Sequence, residues 1–173
     1  MPTLDTQQAL ARLFSELVHG GEKTDSGNAF ILNSGDLGLL RSLDAVSCSD
    51  ASCSMNGGAS LAAHATHVAY GLSLMNRWAR DGGDPFADAR WDDAWTTTGV
   101  TEQQWDDIRA KLHEEAERWM DTLRSPREAT SVELQGMIAS VAHLAYHLGA
   151  MRQISRSARG PKEGTFKSTI RDS

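Results

Sequence analysis

Ser140-Val-Ala-His143-Leu-Ala-Tyr-His147-Leu-Gly-Ala-Met-Arg-Gln-Ile154 is an apolar run of helical period that carries two histidines four residues apart. Leu134, Met137, Ile138, Val141, Leu144, Leu148, Met151 and Ile154 recur every three or four residues, the spacing of a helix face turned to a core. A four-residue step brings both imidazoles to one side of the helix, about 6 Å apart at Cβ. Two imidazoles so placed can grip one divalent ion. Three protein ligands with an open position make the pattern of a catalytic centre.

Working outward, Thr130 and Glu133 form a capping box that starts this last helix, and Gly160-Pro161 is its expected end. Arg152, Arg156 and Arg159 near that end suit the helix dipole. The turn Ser125-Pro-Arg-Glu-Ala129 separates it from a third helix. There Thr101 caps, Gln104 completes a capping box and Val100 can staple to Trp105. Trp105, Ile108, Leu112, Ala116, Trp119 and Leu123 form its core face.

A second helix runs from its cap Ser60 to about Arg80, where Asp81-Gly-Gly-Asp-Pro85 stops it. Leu61, Ala65, Val68, Leu72 and Met75 make one stripe, with His64, His67, Gly71, Leu74 and Trp78 beside it. The first helix spans about residues 4–18, with Asp5 as cap, Leu10, Phe14, Leu17 and Val18 as its stripe, and Gly20-Gly21 as its end. A long connection follows, with a short helix over Leu37–Leu43 capped by Ser34 or Asp36. Phe30, Ile31, Leu37, Leu39, Leu40 and Leu43 are expected to pack it on the helices. Residues 81–100 form a second long crossover, rich in Asp, Trp and Thr.

No stretch alternates as a strand, so the chain reads as all-α. Four such helices most simply form a four-helix bundle. The short third-to-fourth turn and the long 1–2 and 2–3 connections predict an up-down-down-up order. Residues 1–160 form one helical domain and 161–173 a polar tail.

The 173 residues carry a formal charge of −6 without a dense Lys/Arg block, which excludes a nucleic-acid footprint. No apolar run approaches the roughly 18 residues that cross a membrane. The first residues lack a basic region and an apolar signal core, so a cytoplasmic location is expected. Cys48 and Cys53 match no zinc-finger spacing and read as free thiols.

Four of the six histidines form two close pairs on two apolar helices. Burying four imidazoles is costly unless each finds a partner, and a shared metal resolves that for three. His67 lies about 10 Å into its helix, and His143 and His147 roughly 16–24 Å from the expected end of theirs. On antiparallel neighbours, modest stagger lets the three share a level. His19 and His113, alone in sequence, read as core or boundary residues.

His143-Leu-Ala-Tyr-His147-Leu-Gly-Ala-Met-Arg-Gln-Ile resembles the closing motif of the DinB/YfiT-like metalloenzyme superfamily, where His-x-x-x-His precedes a Gly-containing turn of helix and a Gln-Ile. Ser60-Leu-Ala-Ala-His-Ala-Thr-His67-Val-Ala is similar to that family's second-helix motif, in which the ligand histidine precedes an aliphatic residue. The resemblance runs through the whole chain in order. Leu148 departs from it, since many members carry Arg there.

By that register the resemblance implies metal ligands at His67, His143 and His147, with zinc or nickel as the divalent ion. It also implies metal-dependent chemistry of the thiol S-transferase type, its relatives including a mycothiol-dependent maleylpyruvate isomerase. The substrate would be a small molecule, with a low-molecular-weight thiol as partner. A metal-dependent hydrolase is a variant of the same site. The other class is a non-enzymatic, metal-binding or stress-associated bundle, dimeric through exposed apolar helix faces, with a sealed site. A homodimer is therefore one expected partner state.

His64 has four readings: a group behind the ligands, a substitute ligand, a proton shuttle or a boundary histidine. Tyr70 and Tyr146 flank the ligands and either donate to substrate or pack at the rim. Trp91 and Trp95, with Asp92 and Asp93, either line the mouth or clamp the crossover.

Overall fold

The computed structural model describes residues 4–21, 29–33 and 35–161. Among the described residues the chain is mostly helical and has no strand, with one isolated antiparallel bridge between Ser54 and Ser60. Seven helices occur there: α1 (Leu4–His19), α2 (Gly38–Asp44), α3 (Cys48–Ala51), α4 (Leu61–Asp81), α5 (Trp91–Ala94), α6 (Glu102–Arg124) and α7 (Ser131–Ile154). The four long ones, α1, α4, α6 and α7, are those expected from periodicity. The short α3 and α5 lie in the connections, where one or two turns leave no periodic signature.

The local start signals act as the residues dictate. Ser60 Oγ accepts the Ala63 N–H, and the Thr101/Gln104 and Thr130/Glu133 capping boxes are both complete. Asp5 lies inside the first turn of α1 and not at its cap. Leu37 is the N-cap of α2, and Asp36 instead accepts the Gly38 N–H at 2.8 Å. Ser34 lies outside the described residues, as does the tail from 162.

The end of α7 comes earlier than expected. The helix stops at Ile154, because Ser155 turns extended and its hydroxyl accepts the Ser157 N–H. A serine hydroxyl competing for backbone partners favours such an exit. Arg156 and Arg159 therefore lie beyond the helix. Arg152 does more than face a dipole, since its Nη2 donates to buried Asp36 at 2.7 Å.

The core is a single apolar cluster from Leu10 to Ala158. In it α1 packs on α6 and α7, α4 packs on the same two helices, and α2 closes over α1 and α6. Buried indoles find acceptors, Trp105 Nε1 on Val46 O and Trp119 Nε1 on Ser140 Oγ. Leu39, Leu40 and Leu43 are buried as expected, but Phe30, Ile31 and Leu37 are exposed, and so is Ile138 on α7. What ties down the first connection is instead Glu16. Its buried carboxylate accepts the N–H groups of Phe30, Ile31 and Leu32 at 2.7–2.9 Å.

Candidate metal centre

Helices α4 and α7 lie side by side and run antiparallel, so His64 faces His147 while His67 faces His143. Because α7 ends at Ile154, His147 lies about 10 Å from that end, matching the depth of His67 in α4. His147 nevertheless faces His64 and not His67, so the two helices are offset by about one turn, and with that modest stagger the three candidate ligands share a level. His67 Nε2 is 3.0 Å from His143 Nε2, and His143 Nε2 is 3.0 Å from His147 Nε2. One nitrogen from each of the three lies within 4.8 Å of the others.

Burial lowers the pKa of all four histidines. Desolvation, reinforced by the neighbouring imidazoles, pushes His67 down to about 4 and His147 down to about 3. Burial alone lowers His64 and His143. All four rings are thus neutral at pH 7, and neutral imidazole is the form that ligates. Three ring nitrogens thus converge in a half-buried space. The donor set fits a divalent ion, and imidazole suits zinc and nickel among others. His67, His143 and His147 would hold it.

His64 stands behind the trio, its Nδ1 2.9 Å from His147 Nδ1. With Nε2 given to a metal ion, His147 would carry its proton on Nδ1 and donate it to His64. Ligand histidines are held in this way by a partner at the second nitrogen. Among the described residues the buried Nδ1 of His67 meets no such partner.

The crossover roofs the site. Trp95 stacks on His67 with ring centroids 4.2 Å apart at 26°, and meets His64 edge-on at 5.3 Å. Trp91 lies 5.4 Å from His67, with Tyr70 and Phe86 at its own edges. The two indoles both line the histidines and anchor the crossover. Asp93 turns outward to pair with Arg90, and Asp92 is exposed. The Tyr70 hydroxyl accepts the Arg90 N–H, a crossover tie. Tyr146 is 70% exposed and touches His147 only edge-on, at the rim.

His19 and His113 lie elsewhere, paired with Glu117 and Asp44 on the surface. Cys48 and Cys53 are free thiols outside the cluster. Sequence reasoning missed a cavity of about 410 Å³ between α4, α7 and the crossover, with His143 on its wall. A signal for it existed in Gly136, a glycine inside a helix. A Cβ there would run into the Trp78 ring, which lines the cavity.

Fold and site together define a helical protein with a buried three-histidine group that could hold a metal ion. No described helix is long and apolar enough to cross a membrane. No family model matches the chain, and comparison with curated proteins and with solved structures gives no match.

Proposed function

We propose that this chain is a DinB-like metalloenzyme, a four-helix bundle in which His67, His143 and His147 hold one zinc or nickel ion. Its reaction joins a low-molecular-weight thiol to a small electrophile. The observation that carries the reading is the double membership of His143. It belongs to the histidine trio and to the wall of a 410 Å³ cavity. A storage or purely structural site has no need of such a space beside it.

An up-down-down-up order accompanies this proposal. Gln7 bonds to Arg127 and His19 pairs with Glu117, as expected if α1 opposes α6. Ser60 bonds to Thr97 near the start of α6 and Asn76 to Glu115 within it, as expected if α4 and α6 run the same way.

A bound divalent ion supplies Lewis acidity and lowers the pKa of a thiol or water at its open position. The residues do the rest. His64 orients His147 through the Nδ1 contact, and Trp95 and Trp91 keep water from the His67 side. The cavity brings the electrophile to the His143 side. In the transfer the thiol gives its proton to water, a sulfur–carbon bond forms, and the leaving group departs with the displaced electron pair.

The test is elemental analysis of the purified protein, followed by thiol consumption with an aryl halide in the presence of zinc or nickel. Metal-dependent loss of thiol is expected. A panel of thiols that gives no turnover with stoichiometric metal bound would remove the enzymatic reading.

A further inference from the structure

The cavity beside His143 has a composition that says what it accepts. Val68, Leu72, Met75 and Leu144 line it, and Trp78 and Trp91 add aromatic surface. No Lys, Arg, Asp or Glu is among its lining residues. Apart from the indole N–H groups of Trp78 and Trp91, its polar side chains are Gln135, Ser140 and His143. Ser140 is already committed, since its hydroxyl accepts from Trp119 Nε1 and donates to Met137 O. Gln135 is exposed, at the outer side. That leaves the His143 edge as the polar group at the inner end. A charged group taken into such a space would lose its hydration with nothing to pair it.

Gly71 lines the cavity beside His143. A methyl group added there would only touch the His143 ring at 3.5 Å and the Trp91 ring at 3.8 Å, so the spot is open by about one carbon. Ligand pockets of a few hundred Å³ with apolar walls and one or two placed polar groups suit compact small molecules. The indoles at Trp78 and Trp91 favour a flat π-system.

We infer that this cavity binds an uncharged, planar aromatic molecule, or the aromatic part of one, with its reacting end directed past Gly71 to His143. The inference names the electrophile class for the metal-dependent reading above and rests on it for that role, while the binding itself stands on the cavity alone. Ala139, exposed on α7 and part of the lining, gives a handle outside the histidine trio.

The full chain, metal-loaded and metal-free, is titrated with 1-naphthol and with 1-naphthalenesulfonate while tryptophan emission is read. Saturable binding of 1-naphthol, at least about tenfold tighter than the sulfonate, is expected, because only the sulfonate carries a charge to desolvate. Ala139→Trp should weaken 1-naphthol by about tenfold or more with zinc content unchanged, by filling the space. His143→Ala should lose the metal and keep the naphthol.

Absence of saturable binding, or equal affinity for the sulfonate, overturns the inference even if metal and turnover persist. Naphthol binding in a protein that takes no metal leaves the cavity assigned and removes the metal-dependent reading. A dimer in sedimentation that Ala139→Trp breaks, without naphthol binding by the parent, assigns the face to a second copy instead and also overturns the inference.

Discussion

His64 Nδ1 lies 2.9 Å from His147 Nδ1, while the other nitrogen of His147 lies 3.0 Å from His143 Nε2. One ring is thereby held from behind and offered to the site in front. This contact fits the reading of His64 as a group behind the candidate ligand His147, outside the cluster of three. Partners at this position typically contribute 10–100-fold in metal affinity. His64→Ala should therefore weaken zinc by about 10–100-fold in a chelator competition, with helicity unchanged. An unaltered affinity would make His64 a bystander.

Removal of the ion should destabilise the protein. A ligand at about 100 times its Kd adds about 2.7 kcal/mol. For a chain of this size that corresponds to about 5–10 °C in Tm. A chelator should lower Tm by that amount, and His143→Ala should melt at the chelated temperature with or without zinc. Unchanged metal content in His143→Ala would sink the site.

The metal-free protein should lose stability as pH falls below neutrality. The unfolded histidines take up protons near pH 6.5, whereas folded His67 does so at about 4 and folded His147 at about 3. Between those values the unfolded chain binds more protons, so stability rises with pH and is lost on acidification from about 6.5 toward 4. Urea midpoints at pH 7.5, 5.5 and 4.5 check the sign. His147→Leu should flatten the profile, and an equally steep one in that variant would contradict the assignment.

Glu16 should matter more than its place on a peripheral helix suggests. Three backbone N–H groups end on its carboxylate, and α1 thereby holds residues 30–32. Glu16→Ala leaves those donors without an acceptor and should cost about 2–4 kcal/mol in denaturant unfolding. Glu16→Gln, which keeps an acceptor oxygen, should cost less.

Gly136→Ala should destabilise by about 1–3 kcal/mol, the usual cost of overpacking, because the added methyl meets the Trp78 ring. The displaced indole would enter the cavity, so 1-naphthol affinity should fall in the same variant. A neutral effect on both would show that Trp78 has room to move elsewhere.

Sequence alone determined the four long helices, the caps of α4, α6 and α7 and the histidine pairs, because each rests on residues within one or two turns of each other. A hydroxyl three residues before a carboxamide or carboxylate caps a helix wherever the chain goes, and a 3.6-residue repeat marks a buried face in any surroundings. His143 and His147 were legible for that reason. That they share a level with His67 was expected from helix depth; the 3.0 Å contact between His143 and His67 was not legible. It depends on how α4 and α7 are offset along each other, which is set when their apolar faces pack.

Only the tertiary structure decided the partners of Glu16, Asp36 and His64, since each is a contact between groups far apart in sequence. The same holds for Trp95 stacked on His67 and for the apolar cavity at His143. Local chemistry chooses the elements. Which side chains face one another across them is settled when the apolar faces pack, and the candidate site is made of those facing pairs.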